Sequence, residues 1–365
     1  MVAPPWYEVP PQGYGGLEVI AAALVDGLVD RGHDVTLFGA GSRSGTRARF
    51  VSTHPEPRYA RLGELMPAVL HTAQVNRLLA DGDFDIVHDH TTDGAMTAPT
   101  RRVPTVMTVH GAVDGELGDY LLALGDTVRL VAISRAQRLQ RPQLAWAATV
   151  HNALPQQAAA ALPSMDGPVL WLARFNPDKG PDLAIEACRA AGLPLVLAGK
   201  ANEMGEERYL DEVIRPMLGD GVRLVVNGDR AGTQRLLREA RCLIMPIRWS
   251  EPFGMVMIEA MAVGTPVVGL RRGAVPELVE HGVTGWLCDT VEELPAALYR
   301  VGELDPDDCA QHVRTKFGSA LMARRYEHVY LNAIGRPDIT PAHRRLLDTR
   351  PSAAPVLRRP LPHLR

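Results

Sequence analysis

The chain has 365 residues, 46% of them apolar and 22% charged, with a formal net charge of −3. That length suits two domains of ordinary size, the composition is that of a globular protein, and the charge gives no reason to expect nucleic acid as a partner. The four cysteines, Cys188, Cys242, Cys288 and Cys309, stand far apart in apolar or helical surroundings, which excludes a metal-ligand spacing.

Such cysteines read as buried free thiols in a reducing cytosol. With no signal-peptide pattern and no apolar run of about 18 residues, a cytoplasmic protein is expected.

Met1-Val2-Ala3-Pro4-Pro5 is too short for a whole first strand, so strand one is a stub or the start is misassigned. A loop follows through Gly13, Gly15 and Gly16, and Val19 to Asp30 carries apolar residues at helical spacing. Glu18 stands where a dinucleotide fingerprint would need its third glycine. Adjacent glycines before a helix still let backbone N–H groups approach a phosphate, or they simply make a turn. Val35 to Phe38 is a strand, Arg43 to Arg49 a polar loop, and Tyr59 to Ala80 mostly helical. The aspartates of Asp81-Gly82-Asp83-Phe84-Asp85 fit turn chemistry at a helix exit better than a metal-bound nucleotide. His88-Asp89-His90 ends the next strand, and three consecutive strand-end residues cannot converge on one ion; Asp89 or His90 facing the cleft is an alternative. Val103 to Val109 is a parallel strand with His110 at its C-terminal end, and Ser134 is a helix N-cap after strand Val128 to Ile133.

The second half opens with strand Val169 to Ala173, then Arg174-Phe175-Asn176-Pro177-Asp178-Lys179-Gly180 and a helix from Pro181 to Ala191. A guanidinium fork and an ammonium point charge at a helix start suit a diphosphate, although as isolated residues they read equally as surface charges. Leu195 to Ala198 and Val222 to Val226 are further strands. Cys242 to Pro246 ends a buried strand, Pro252 and Gly254 make a tight loop, and Met255 to Ala262 is a helix closed by Gly264. That loop lies where an open parallel sheet leaves room for a ligand and where a helix start favours phosphate. Glu251 and Glu259 bracket it. Carboxylates are unwelcome beside phosphate, but each can accept hydrogen bonds from two vicinal sugar or ribose hydroxyls. Read blandly, Glu251 is a loop charge and Glu259 a solvated helix residue.

Glu251-Pro252-Phe253-Gly254-Met255 with Glu259 resembles the Glu-x7-Glu motif of the retaining glycosyltransferases of family 4, which have the GT-B fold. Ala260 to Val268, Gly273-Ala274-Val275-Pro276-Glu277 and Gly282 to Leu287 are similar to the same family, over roughly residues 1 to 330. The wording of the glycine loop resembles two of its subgroups, antibiotic-tailoring enzymes of the orthosomycin or avilamycin type and proteins labelled pterin glucosyltransferases.

The resemblance implies two doubly wound Rossmann-like α/β domains facing across a cleft. They would cover residues 1–154 on the acceptor side and 155–318 on the nucleotide-sugar side, with 319–335 as a terminal helix crossing back. It places Gly15 and Gly16 against the donor diphosphate and His110 beside the donor sugar. By the same resemblance Arg174 and Lys179 would neutralise the leaving diphosphate, and Gly228 and Arg230 would lie beside the base. Glu251 with the N–H groups of Phe253, Gly254 and Met255 would hold the sugar and Glu259 the ribose, with Val256 also lining the donor site. Ala153 stands where the family's linker carries glycine.

The implied activity is metal-independent transfer of a hexose-type sugar from a UDP- or GDP-linked donor to a small-molecule, lipid or glycan acceptor, with no cofactor. A GT-B epimerase or phosphorylase, or a nucleotide-binding protein without turnover, are the alternatives. Residues 336–365 read as a disordered Pro/Arg tail. Its segment 341–365 carries a formal +5 from six arginines and one aspartate, which would give at most a weak peripheral contact with an anionic membrane.

Overall fold

Short β-branched and aliphatic runs alternate with helices along the chain, and the computed structural model assembles them into two parallel sheets; it describes residues 1–11, 15–155 and 166–335. The basic tail and part of the glycine loop, Gly13 included, lie outside the described residues.

In the first sheet, β1 (Thr36–Ala40) and β2 (Arg49–His54) pair parallel, as do β3 (Val87–Asp89), β4 (Thr105–Val109), β5 (Arg129–Ala132) and β6 (Trp146–Thr149) in that order. Val2 joins the two groups, bridging to Phe38 on one side and Asp89 on the other. Its N–H donates to the His88 carbonyl at 2.8 Å. The first strand is thus a stub at the centre of the sheet, at the point where the strand order reverses.

The second sheet runs β12-β11-β10-β7-β8-β9, all parallel. Its strands are β7 (Val169–Arg174), β8 (Leu195–Lys200), β9 (Val222–Val226), β10 (Cys242–Met245), β11 (Val267–Leu270) and β12 (Gly285–Cys288). Period-two alternation divides its core: Leu170, Leu243, Met245 and Val267 face one layer, Val169, Trp171, Cys242 and Ile244 the other. All four cysteines are free and buried. The order reverses between β7 and β10, and a crevice outside the C-terminal ends of those strands is where such sheets take ligands.

Seven helices matter below: α1 (Gly16–Asp30), α2 (Leu65–Ala80), α3 (Arg135–Gln140), α4 (Pro181–Ala191), α5 (Arg230–Glu239), α6 (Met255–Ala262) and α7 (Ser319–Ala333). The chain leaves the first sheet near Leu154, whose N–H donates to the Phe317 carbonyl at 3.0 Å, and α7 packs Met322, Tyr326 and Tyr330 into the core of the first sheet with Ile20 and Leu24 of α1.

Four strands lie outside the sequence expectation, β2, β6, β11 and β12. β2 begins inside what reads as a polar loop, because its edge position leaves Arg49 and Ser52 exposed; β6, of mixed burial, precedes the linker. The helical expectation over Tyr59 to Ala80 resolves into a 3₁₀ turn, Tyr59–Arg61, and α2, separated at Gly63 with φ of 90°. Among the described residues no helix is long and apolar enough to cross a membrane.

Candidate active site

The loops after β7 and β10 meet at the switch point. Asn176 caps a 3₁₀ turn, Pro177–Lys179, by accepting the N–H of Asp178 at 2.9 Å, and Lys179 emerges from it toward Glu251. Gly180, with φ of 65°, is obligatory there: a Cβ would stand 2.2 Å from the Pro246 carbonyl oxygen. Lys179 Nζ donates to Glu251 Oε2 at 2.5 Å and lies 4.3 Å from the centroid of the Trp249 ring, whose Nε1 donates to the same oxygen at 3.1 Å. Glu251 is 7% exposed. Its backbone is clamped from behind by Gly273 and Ala274. Ala274 N–H donates to the Glu251 carbonyl at 2.9 Å, and a Cβ on Gly273, φ of 54°, would fall 2.3 Å from Glu251 N.

Gly254 precedes α6 in the left-handed conformation, φ of 92°. The turn leaves the N–H groups of Phe253, Gly254, Met255 and Val256 with no protein acceptor among the described residues. These are the orphan donors of a helix start, and with Lys179 beside them they form a cradle for negative charge. The Phe253 side chain points elsewhere: buried, it packs on His151 and Phe317, with ring centroids at 5.9 and 6.3 Å.

Glu259, on α6, is held above the usual carboxylate range by burial, an effect the Arg230 charge at the start of α5 opposes. Among the described residues no hydrogen bond reaches its carboxylate. Gly228 accepts Lys200 Nζ at 3.3 Å through its carbonyl. Arg174 is half-exposed and turned to Glu203 and Glu206, at 3.0 and 3.1 Å. The structure thus pairs Lys179 with Glu251, brings Arg230 near Glu259, and sets Arg174 among other carboxylates.

On the opposite sheet His110 ends β4. Its Nε2 lies 2.9 Å from His90 Nδ1, and burial pushes its pKa down to about 4, so both imidazoles are neutral at pH 7. His88 turns instead to Tyr330 and Thr108, both at 2.7 Å, and Asp89 is a fully buried ion pair with Arg101 at 2.9 Å. The three residues of His88-Asp89-His90 therefore have separate partners, and Asp89 does not reach the cleft. Gly15 precedes α1 with φ of 146°. Glu18 folds back over it, its buried carboxyl raised to about 7 by desolvation.

Residues given no role in the sequence reading tie the two sheets together. Glu277 accepts the N–H groups of Arg135 and Ala136 at 2.9 and 2.7 Å and His151 Nε2 at 2.9 Å. Gln140 Nε2 donates to the Ser250 carbonyl at 3.1 Å. Ser134 caps α3 as expected, accepting Gln137 N–H at 2.9 Å. Among the described residues no group of three His, Cys, Asp or Glu could hold a metal ion.

The family model described as Glycosyltransferase Family 4 matches residues 14–160, and that described as Glycosyl transferases group 1 matches residues 155–310. A phosphatidyl-myo-inositol mannosyltransferase of Mycobacterium leprae is 26% identical over 334 residues, 80% of this chain and 86% of that protein. A D-inositol 3-phosphate glycosyltransferase of Catenulispora acidiphila is 28% identical, over 75% of this chain and 79% of its own. Among solved structures, AviGT4, a glycosyltransferase involved in avilamycin A biosynthesis, superposes with a TM-score of 0.66 and 26% identity over 90% of this chain and 93% of its own. Anabaena HepE in complex with UDP-glucose shares the fold at a TM-score of 0.67 and 18% identity, over 91% of this chain and 98% of its own. With its halves matching those two models in order and its two Rossmann-like domains superposing on such enzymes, the chain belongs to the group 1, family 4-like glycosyltransferases of the GT-B fold.

Proposed function

We propose that the protein transfers a hexose-type sugar from a UDP- or GDP-linked donor to an acceptor hydroxyl with retention of anomeric configuration. The observation that carries this reading is the cradle of free N–H groups at Phe253 to Val256 with Lys179 beside it, at the switch point of the second sheet. The bond from the anomeric carbon to the diphosphate oxygen breaks as the acceptor oxygen bonds to the same face. The leaving phosphate takes the acceptor's proton. Charge builds on the diphosphate in this step, and Lys179 and the α6 start are already aimed at it, which is how preorganised donors lower a barrier. Glu251, His110 and the nearby N–H groups position the sugar, and Glu259 accepts from the ribose. Arg174 serves the diphosphate by leaving Glu203 and Glu206.

A thermal-shift screen of nucleoside diphosphates tests the reading, because a ligand at 100 times its Kd stabilises by roughly 2.7 kcal/mol. No stabilisation by UDP or GDP overturns it. Lys179, Arg174 and the helix start would meet the diphosphate charge themselves, so turnover is expected to persist in excess chelator. A strict requirement for added magnesium or manganese sinks the site as drawn.

For the acceptor, one observation favours an amphiphile. Tyr59, Leu62, Leu65, Met66 and Leu70 are all exposed in one short stretch. Tyr7, from the segment leading into the glycine loop, stacks on Tyr59 at 6.5 Å between centroids. Contiguous exposed apolar surface of this kind marks a binding face. Leu65→Glu with Met66→Glu is expected to raise the KM for a lipid-linked acceptor and leave that for a soluble sugar unchanged; equal effects on both rule the amphiphile out.

A further inference from the structure

The two halves of the site stand on different sheets, and α3 connects them. Its first turn is completed from across the cleft: Ser134 takes the N–H of Gln137, while Glu277 of the second domain takes those of Arg135 and Ala136. Glu277 also holds His151 of the linker at 2.9 Å. Burial pushes the Glu277 carboxyl up, but these donors outweigh it and keep it below the usual range, so it is an anion at neutral pH.

One residue further, Gln137 is fully buried with both ends of its amide in use. Its Oε1 accepts Ile133 N–H at 2.8 Å. Its Nε2 donates to the carbonyls of Val109 and Gly111, at 2.8 and 2.7 Å. Those carbonyls flank His110 on either side, so the amide fixes the backbone that aims the imidazole. At the far end of the helix Gln140 accepts Val113 N–H at 3.2 Å and donates to the carbonyl of Ser250, the neighbour of Glu251.

We propose that Glu277 and Gln137 are positioning residues that set His110 through α3 only when the second domain is docked, so that the sugar-facing histidine is placed in register with Glu251. Opening the cleft removes the Glu277 carboxylate from the helix start and releases that register. The proposal rests on the reading of His110 as a donor-sugar residue, and neither Glu277 nor Gln137 touches substrate in it.

The test is a double-mutant cycle on the full chain. Release of UDP from UDP-glucose and of GDP from GDP-mannose is followed with water as acceptor, and calorimetry with UDP and GDP alone runs in parallel. Glu277→Gln is expected to lower kcat by about tenfold and to change the Kd of the bare nucleotide by less than about twofold, since that ligand lacks the sugar that His110 faces. In a His110→Ala background the same substitution is expected to cost nothing further. Multiplying losses in the double variant, or an equal loss of bare-nucleotide affinity, overturn the relay. A His110→Ala variant with full turnover overturns the site reading and the relay with it. Should Glu277→Gln melt well below the wild type, His151→Phe carries the same cycle: it removes one of the three donors and keeps the ring packing on Phe253 and Phe317.

Discussion

Lys179→Ala is expected to lower turnover by roughly 10²–10³-fold, the range found when one preorganised donor to developing negative charge is removed. The substitution acts twice. It withdraws the ammonium paired with Glu251 at the loop before α6, and it strips that buried carboxylate of its cation, leaving Trp249 Nε1 as its side-chain donor among the described residues. An uncompensated anion beside a diphosphate site then repels the donor, so affinity for the bare nucleotide falls as well. Arg174 does not make up the second loss, because its carboxylate partners are Glu203 and Glu206 rather than Glu251. Steady-state kinetics and calorimetry on the one variant decide this, and a loss of less than about threefold in turnover removes Lys179 from the leaving-group role.

Much of this arrangement is legible before any fold is seen. α4 and α6 start and stop where Pro181, Gly254 and the following glycines say they must, and both loops of the switch point are marked by Lys179-Gly180 and by Glu251-Pro252-Phe253-Gly254. What the residues do not announce is pairing at long range. Sequence reasoning gives Lys179 to the diphosphate and Glu251 to the sugar as separate residues, yet they hold each other before any ligand arrives. Glu277 closes a stretch marked by family resemblance, Gly273 to Glu277, but with no role attached; its partners Arg135, Ala136 and His151 come from another sheet and the linker, and no local periodicity encodes them. Gly273 and Ala274 of the same stretch clamp the Glu251 backbone and so bring Glu277 into the cleft. β2 escapes for a different reason. At a sheet edge with a half-exposed face its alternation is polar enough to pass for a loop.

Of Glu251→Gln and Glu259→Gln, only the second is expected to weaken the affinity for a bare nucleoside diphosphate. In the free protein the Glu251 carboxylate competes with the diphosphate for Lys179; the neutral amide releases that ammonium and lifts a repulsion, so the nucleotide binds as well or better. Transfer nevertheless falls, because the partner of Glu251 is the sugar, which the bare nucleotide lacks. Among the described residues no protein donor competes for Glu259, and the ribose is present in both ligands. Its loss is that of a hydrogen bond to a charged group, roughly 1.5–3 kcal/mol or about 10- to 150-fold in affinity. The pH dependence carries its own sign. Burial holds the Glu259 pKa above the usual range, whereas ribose hydroxyls donate to the ionised form, so binding expels a proton and affinity weakens as pH falls through that raised pKa. Glu259→Gln is expected to lose this component while keeping the one due to the nucleotide's own phosphate. Calorimetry on both variants across pH separates the roles: equal losses at every pH assign both carboxylates to the scaffold, and an unchanged Glu259→Gln curve takes that residue off the ribose.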